Sequence, residues 1–407
     1  MSKNSKVTKD LLLDFFEATG TTFEGMYEYT SALDEITKVI EMPQSQVSIF
    51  TLTQMGQNSV NGVLHEGGGN KVVSYTYDEL RDSHGATPEL IGELKNNSMM
   101  LFDFNGYVFF TTHEVLGTLS QRGGSRLGDA DFRPENNLRL ARNMKFNMYM
   151  CLPEYASKRC RVVYREVDGA KKVLGVFTER FAPIPQTESI KFAVEGFEKE
   201  LGKADLKWWR VNATDTQAYM EFPEQRHDFT NVQRDAGVVT IPDDVTPGIL
   251  IRTADGGDAS FTVIGTIKVG KTIIYVPAAR YMRAHTKNVD VAKIGEALEK
   301  QVFGEFKKIP NRLCELLAID VPYPADAINK IAKFCGIKKI LGLGTENEVI
   351  RNIEEALNPH VSYTAYDLAV MFLDEGRRLE NEKNRDETIG KIRNCFVQAL
   401  FFKYEGL

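Results

Sequence analysis

The chain has 407 residues, 43 % hydrophobic and 26 % charged, with a formal net charge of −6. That composition belongs to a folded globular protein and excludes disordered, fibrous and disulfide-stapled classes. No run of about 18 apolar residues is present to cross a membrane as a helix, Met1 to Lys6 lack an apolar signal core, and the five cysteines form no C-x-x-C pair, so reduced thiols, a cytoplasmic setting and no membrane partner are expected.

In chain order, a polar tail leads to a helix from Thr8 to Ala18 and an apolar-periodic stretch from Tyr29 to Met42. Strands are expected over Val47 to Thr53 and Lys71 to Tyr77. The Gly-rich punctuation between them, Gly56 to Ser59 and Gly67 to Gly69, reads as a flexible loop. Met99 to Phe104 and Tyr107 to Thr112 flank Asn105-Gly106, a hairpin signal, with a helix starting near His113. Gln121 to Asn137 reads as loop and Asn137 to Met150 as helix. A second hairpin, Arg161 to Val167 and Lys171 to Glu179 around Asp168-Gly169, precedes a helix from Ser189 to Leu201 with Ile190, Ala193, Val194, Phe197 and Leu201 on one face.

Strand character continues over Leu206 to Ala213, Gln217 to Phe222, Gly248 to Thr253, Ser260 to Ile267 and Thr272 to Val276. From Val289 the periodicity turns helical, with Ile294, Leu298, Val302 and Phe306 on one stripe. The fold class is therefore α+β, a β-rich central body with hairpin-helix units and a helical C-terminal third. Three regions are expected: residues 1–115, 116–288 and 289–407.

Gly265-Thr266-Ile267-Lys268-Val269-Gly270-Lys271-Thr272 fits the phosphate-loop pattern G-x-x-x-x-G-K-[ST]. Such a loop needs a helix starting at the Lys, because helix N-terminal amides hold the phosphates. Here Ile273-Ile274-Tyr275-Val276-Pro277 follows, a strand ended by proline, so Gly265, Gly270, Lys271 and Thr272 read as a hairpin rather than a nucleotide site. Ala369 to Glu375 imitates the magnesium-binding strand of a nucleotidase but carries a helical polar face. His65 and His113 lack the second His a zinc protease needs four residues on. Gly342-Leu343-Gly344 is followed by Asn347 in place of the third Gly of a dinucleotide loop. Asp129 with Asp131 and Asp255 with Asp258 read as turn chemistry. No catalytic residue, metal or cofactor is expected.

Between Arg122 and Arg180 there are 13 Lys/Arg against 7 Asp/Glu. Arg126, Arg139, Arg142, Lys145, Lys158, Arg159, Arg161, Arg165, Lys171, Lys172 and Arg180 alternate with Phe146, Tyr149, Tyr155, Tyr164, Phe177 and Phe181. Cations that follow phosphates, interleaved with rings that stack on bases, suit single-stranded DNA. The competing reading places the rings in the core and the cations, paired, on outward faces.

The order basic strand, turn, Val-x-Gly-Val-Phe-Thr-Glu-Arg-Phe, Pro-Ile, long helix (Val173 to Leu201) resembles the central signature of a phage- and plasmid-borne family labelled domain of unknown function 932. Tyr363 to Leu368 followed by Arg377-Arg378-Leu379-Glu380 is similar to that family's closing helix. In place of the family's Cys-and-Asn-Gly stretch the chain has Val276 to Arg280. The resemblance implies a mobile-element setting and supplies no activity. Together with the basic block it leads to the expectation of a non-catalytic, homo-oligomeric protein that binds single-stranded DNA in replication or recombination. A structural or assembly protein, such as a virion component or host-defence antagonist, is second, and a phosphate-loop ATPase third.

Overall fold

Two large β-sheets organise the chain in the computed structural model, which describes residues 6–97, 99–102, 106–112, 115, 147, 151–228, 244–256, 260–269, 271–286, 298, 302–304, 308–334, 350–380, 395–400 and 402–404. The strands are β1 (Glu17–Gly20), β2 (Thr37–Pro43), β3 (Ser48–Met55), β4 (Ser59–Glu66), β5 (Gly69–Thr76), β6 (Met99–Phe102), β7 (Val108–Thr111), β8 (Arg159–Val167), β9 (Ala170–Thr178), β10 (Asp205–Asn212), β11 (Thr216–Glu221), β12 (His227–Asp228), β13 (Asp244–Thr253), β14 (Phe261–Val269), β15 (Thr272–Arg283), β16 (Asp320–Val321) and β17 (Tyr363–Thr364). The helices are α1 (Phe23–Ile36), α2 (Tyr77–His84), α3 (Pro88–Asn97), α4 (Pro153–Ala156), α5 (Gln186–Leu201), α6 (Lys308–Leu317), α7 (Pro324–Phe334) and α8 (Ala365–Glu380). The fold is α+β.

One sheet has eight strands in the order β2-β8-β9-β7-β6-β3-β4-β5. The other has seven, β1-β10-β11-β13-β14-β15 with β12 beside β13. All pairings are antiparallel except β7 with β9. Segments distant in sequence thus share sheets: β1 completes the seven-stranded sheet against β10 and β2 completes the eight-stranded one against β8. Strands from before and after residue 115 pair in both sheets. One apolar cluster runs from Leu11 to Tyr404 and takes in Phe50 and Val108 of one sheet, Ile249 and Val263 of the other, and Leu33, Phe197 and Phe372 of the helices.

Local chemistry sets several element ends. Thr22 caps α1 by accepting from the Gly25 amide at 3.3 Å, and Met26, Leu33 and Ile36 line the helix's buried face. The Thr37 hydroxyl donates to the Leu33 carbonyl at 2.7 Å, where the chain leaves the helix for the β-branched run of β2. Asp168 and Gly169 both take positive φ, 46° and 81°, as a two-residue hairpin between right-twisted strands requires. Gly85 ends α2 in the left-handed region, and a Cβ there would stand 2.6 Å from the Ala170 amide nitrogen, so α2 abuts that hairpin through a glycine.

Several expected elements are corrected. The helix over Thr8 to Ala18 is a 3-10 turn, Lys9–Leu12, followed by β1; Leu11, Leu12 and Leu13 are consecutive and all buried, which no one-sided helix allows. The flexible loop between Gly56 and Gly69 is strand β4, paired on both sides by β3 and β5. Its Val60, Gly62 and Leu64 alternate inward, and Gly62 admits the Phe50 ring. Pro277 does not end β15. It lies in an irregular stretch of an edge strand, where the ladder to β14 is interrupted and proline costs no inner hydrogen bond. In the C-terminal region the described residues form α6, α7, α8 and further helical stretches at 350–355 and 395–400, with the short β16–β17 pair and coil between them.

A buried ion pair joins the sheets. Arg165 of β8 is 2 % exposed; its guanidinium donates to Asp255 Oδ2 at 3.3 Å and to the Ala213 carbonyl at 3.0 Å. Asp255, just beyond β13, also accepts from Gln186 Nε2 at 2.6 Å, and Gln186 Oε1 accepts from Thr216 at 2.6 Å. Asp34 of α1 accepts from the Gln186 and Thr187 amides at the start of α5. Burial pushes the Asp34 carboxyl from 3.8 up to about 6, against the pull of those amides. Lys172 of β9 is held in the same manner, between Asp14 at 2.7 Å and Glu93 at 2.6 Å.

Removing one partner of a buried pair strands the other. Arg165→Met is expected to cost about 3–5 kcal/mol in urea unfolding, whereas Arg159→Ala, which breaks an exposed pair to Glu41, should cost about 1 kcal/mol or less. Because the folded state holds the Asp34 proton more tightly than the unfolded chain, its contribution grows as pH falls from about 6 towards the unfolded value and is absent above about 6. Asp34→Asn should therefore be more destabilising at about pH 4.5 than at pH 7, by roughly 1–2 kcal/mol, in paired denaturation curves.

Candidate nucleic-acid interface

Strand alternation divides the seven-stranded sheet into two unlike faces. The cross-strand row Trp209, Ala218, Ile251, Val263 and Tyr281 is buried, none of its members more than 7 % exposed. The rows on the other face are polar, aromatic and partly open. Trp208, Tyr219, Leu250, Ile264 and Arg280 stand side by side across five strands, and Arg210, Gln217, Arg252, Thr262 and Met282 form a parallel row. Glu221, Gly248, Thr266 and Tyr275 make a third. Trp208 (38 %), Tyr275 (44 %) and Met282 (59 %) are three of the eight large hydrophobic side chains exposed among the described residues, so the exposure is concentrated here.

The cations of this face are arranged over buried carboxylates. Asp215 takes Arg252 Nε at 2.8 Å and the Arg210 guanidinium at 3.7 Å. Glu221 takes Lys268 at 3.0 Å and Lys207 at 3.6 Å. Each acid is buried and each cation is a third to a half exposed, so the charge presented to solvent is positive although every one of these four cations has a carboxylate beneath it. Lys207 also pairs with the exposed Asp205 at 2.5 Å, which offsets part of that charge. Arg280 is exposed, with its guanidinium 3.6 Å from the Met282 sulfur. The Tyr219 hydroxyl donates to Glu221 at 3.2 Å, and burial raises its pKa beyond the ordinary phenol range, so it stays neutral. Gly248 leaves room for that ring: a Cβ would lie 2.6 Å from the Met220 carbonyl and 3.3 Å from Tyr219.

Among the described residues, the expected basic block does not assemble as one surface. Arg165 and Lys172 are buried pair members, and Lys171 is 8 % exposed, paired with Glu166 at 3.6 Å and 3.5 Å over the Tyr107 ring. Their side chains are taken up by acids inside the protein, because β9 is covered on both faces and the adjacent Lys171 and Lys172, which point to opposite sides, are both buried. Lys158 lies over Tyr155, Arg159 and Arg161 share Glu41, and Arg180 is exposed in the turn after β9. Arg126, Arg139, Arg142 and Lys145 lie outside the described residues. Of the interleaved aromatics, Tyr164 is buried against Phe109 and Phe181 is stacked on Phe177 and His285, which is core packing.

The phosphate-loop string lies in a hairpin. Gly265 to Val269 belong to β14 and Thr272 opens β15, with Lys271 exposed in the turn; Gly270 is outside the described residues. A strand, with no helix N-terminus, follows the Lys, so the phosphate-binding geometry is not built. Ala369 to Glu375 is within helix α8, and Asp367 caps that helix by accepting from Thr364. Asp255 lies in the turn after β13, as expected, and is there the buried partner of Arg165. His65 is buried, bonded to Thr51 and Asn70. Among the described residues no group of three or more His, Cys, Asp or Glu is placed to hold a metal, and no helix is long and apolar enough to cross a membrane.

The open face lies outside the cation-dense stretch of the sequence, its cations being spread over four strands. Its signal was present in Lys207-Trp208-Trp209-Arg210: two adjacent tryptophans in one strand must face opposite sides, so one faces outward. Compared with known family models, curated proteins and solved structures, the chain matches none.

Proposed function

We propose that the open face of the seven-stranded sheet binds single-stranded nucleic acid, DNA in the first place, and that the chain serves replication or recombination of a phage or plasmid without a covalent step of its own. The observation that carries this reading is the shared face on which Trp208 and Tyr275 stand exposed among Arg210, Arg252, Lys207, Lys268 and Arg280. Exposed rings stack on bases of any identity, while cations set beside them neutralise the backbone. A duplex does not offer its base faces, so a sheet bearing exposed rings favours the single strand. The mobile-element setting rests on the resemblance at Val173 to Leu201.

A second reading, as a structural or assembly protein, is favoured by β5, the outer strand of the eight-stranded sheet. Its Val72 is 80 % exposed, and a sheet edge offers backbone groups with which another copy of the chain can pair. Self-association through β5 is compatible with the first reading, since it leaves the other sheet's face open.

Fluorescence anisotropy with a labelled single-stranded oligonucleotide separates the possibilities. Trp208→Ala with Arg252→Ala should weaken binding at least tenfold, and Arg159→Ala with Arg161→Ala should change it less than about twofold. With five cations at the face, the logarithm of affinity should fall against the logarithm of salt with a slope no steeper than about −3.5. Undetectable binding at about 50 mM salt would contradict the proposal, and loss confined to the Arg159 and Arg161 variant would return the interface to the basic block.

A further inference from the structure

At the β1 end of the open face the surface deepens into a hollow of about 490 Å³, lined by Thr19, Gly20 and Thr21, by Trp208, Trp209 and Arg210, and by Gln217. This volume is in the range of small-molecule sites and well below what a folded partner would need. Thr19 and Thr21 are exposed, so their hydroxyls are available to either donate or accept. The exposed Trp208 offers a ring face and the part-exposed Arg210 a guanidinium.

Gln217 gives the hollow a direction. Its Nε2 donates to Asp215 Oδ2 at 2.6 Å, and a carboxylate can only accept, so the amide is oriented with Oε1 left as an acceptor. Asp215 is itself held by Arg252 at 2.8 Å, which keeps that orientation in place. A fixed acceptor beside a stacking ring favours a base edge that brings a donor. Adenine and cytosine carry an exocyclic amino group where thymine and uracil carry a carbonyl, and a carbonyl would set acceptor against acceptor.

We propose that this hollow is a single-base pocket of the strand-binding face, in which Trp208 stacks on one base, Gln217 Oε1 accepts from that base's exocyclic amino group, and Arg210 holds the adjoining phosphate. The inference rests on the nucleic-acid reading given above. It adds a preference at one nucleotide to a face that is otherwise indifferent to sequence.

The test compares oligo-dC with oligo-dU of equal length, two pyrimidines that differ at C4 as amino against carbonyl. Binding of the full chain is measured by anisotropy at one salt concentration. Oligo-dC should bind about tenfold tighter than oligo-dU, the order expected of one well-placed base contact. Gln217→Met, which keeps the side chain's length and removes the acceptor, should bring the two affinities within about twofold, chiefly by weakening oligo-dC binding. Equal affinity of the unsubstituted chain for both oligomers, with Trp208→Ala weakening both, overturns the base pocket and leaves the strand-binding face standing. No binding of either oligomer overturns the strand-binding face itself. Because the comparison of oligomers on the unsubstituted chain decides the matter alone, failure of Gln217→Met to fold does not remove the test.

Discussion

A guanidinium buried between two sheets is the constraint on which the rest of the molecule depends. Arg165 belongs to the eight-stranded sheet, and its carboxylate partner Asp255 hangs from the end of β13 in the seven-stranded one. Taking both charges out of water costs several kcal/mol for each ion, and only close pairing with further hydrogen bonds offsets it. Asp255 has those bonds from Gln186, and Arg165 has one to Ala213. The sheets are thereby held in one relation, with α1 and α5 tied to the same node through Asp34 and Gln186. Apolar burial supplies most of the stability, but it is non-directional, and the polar node specifies which surfaces meet.

That arrangement decides which face is left open. The row containing Trp209 and Ile251 is consumed by the shared core, so the rows containing Trp208 and Arg252 lie on the opposite face. Buried Asp215 and Glu221 act there as anchors: each draws two cations to the sheet surface without itself presenting negative charge. Cations held in this way lose less side-chain entropy on meeting a phosphate than free lysines would. The same pairing weakens each cation's attraction for an anion.

The fold was legible where local chemistry and burial agree. The Asp168-Gly169 hairpin, the helix that follows it and the strand after Thr272 were readable from turn residues and β-branched runs. Those signals act within a few residues of where they are written. The β4 strand was not readable, because Gly56 and Gly67 to Gly69 bracket it and its apolar side chains are few. The interleaving of sheets was not readable either, since nothing in Thr37 to Pro43 names β8 as its partner. Among the described residues the basic block is not one surface for a physical reason: β9 is covered on both faces, so Lys171 and Lys172 are both buried, and Arg165 and Lys172 pair with acids from distant segments while Lys171 pairs across its own hairpin. The open face has its cations spread over β10, β13, β14 and β15, so no window of sequence shows them together.

Photo-crosslinking of a single-stranded oligonucleotide to the full chain, with the linked peptides identified by mass spectrometry, asks directly which surface the strand occupies. Crosslinks at Trp208 and Tyr275, lost when unlabelled strand competes, are what the open-face account requires. Crosslinks confined to residues 122–180, or none on the seven-stranded sheet, would contradict it.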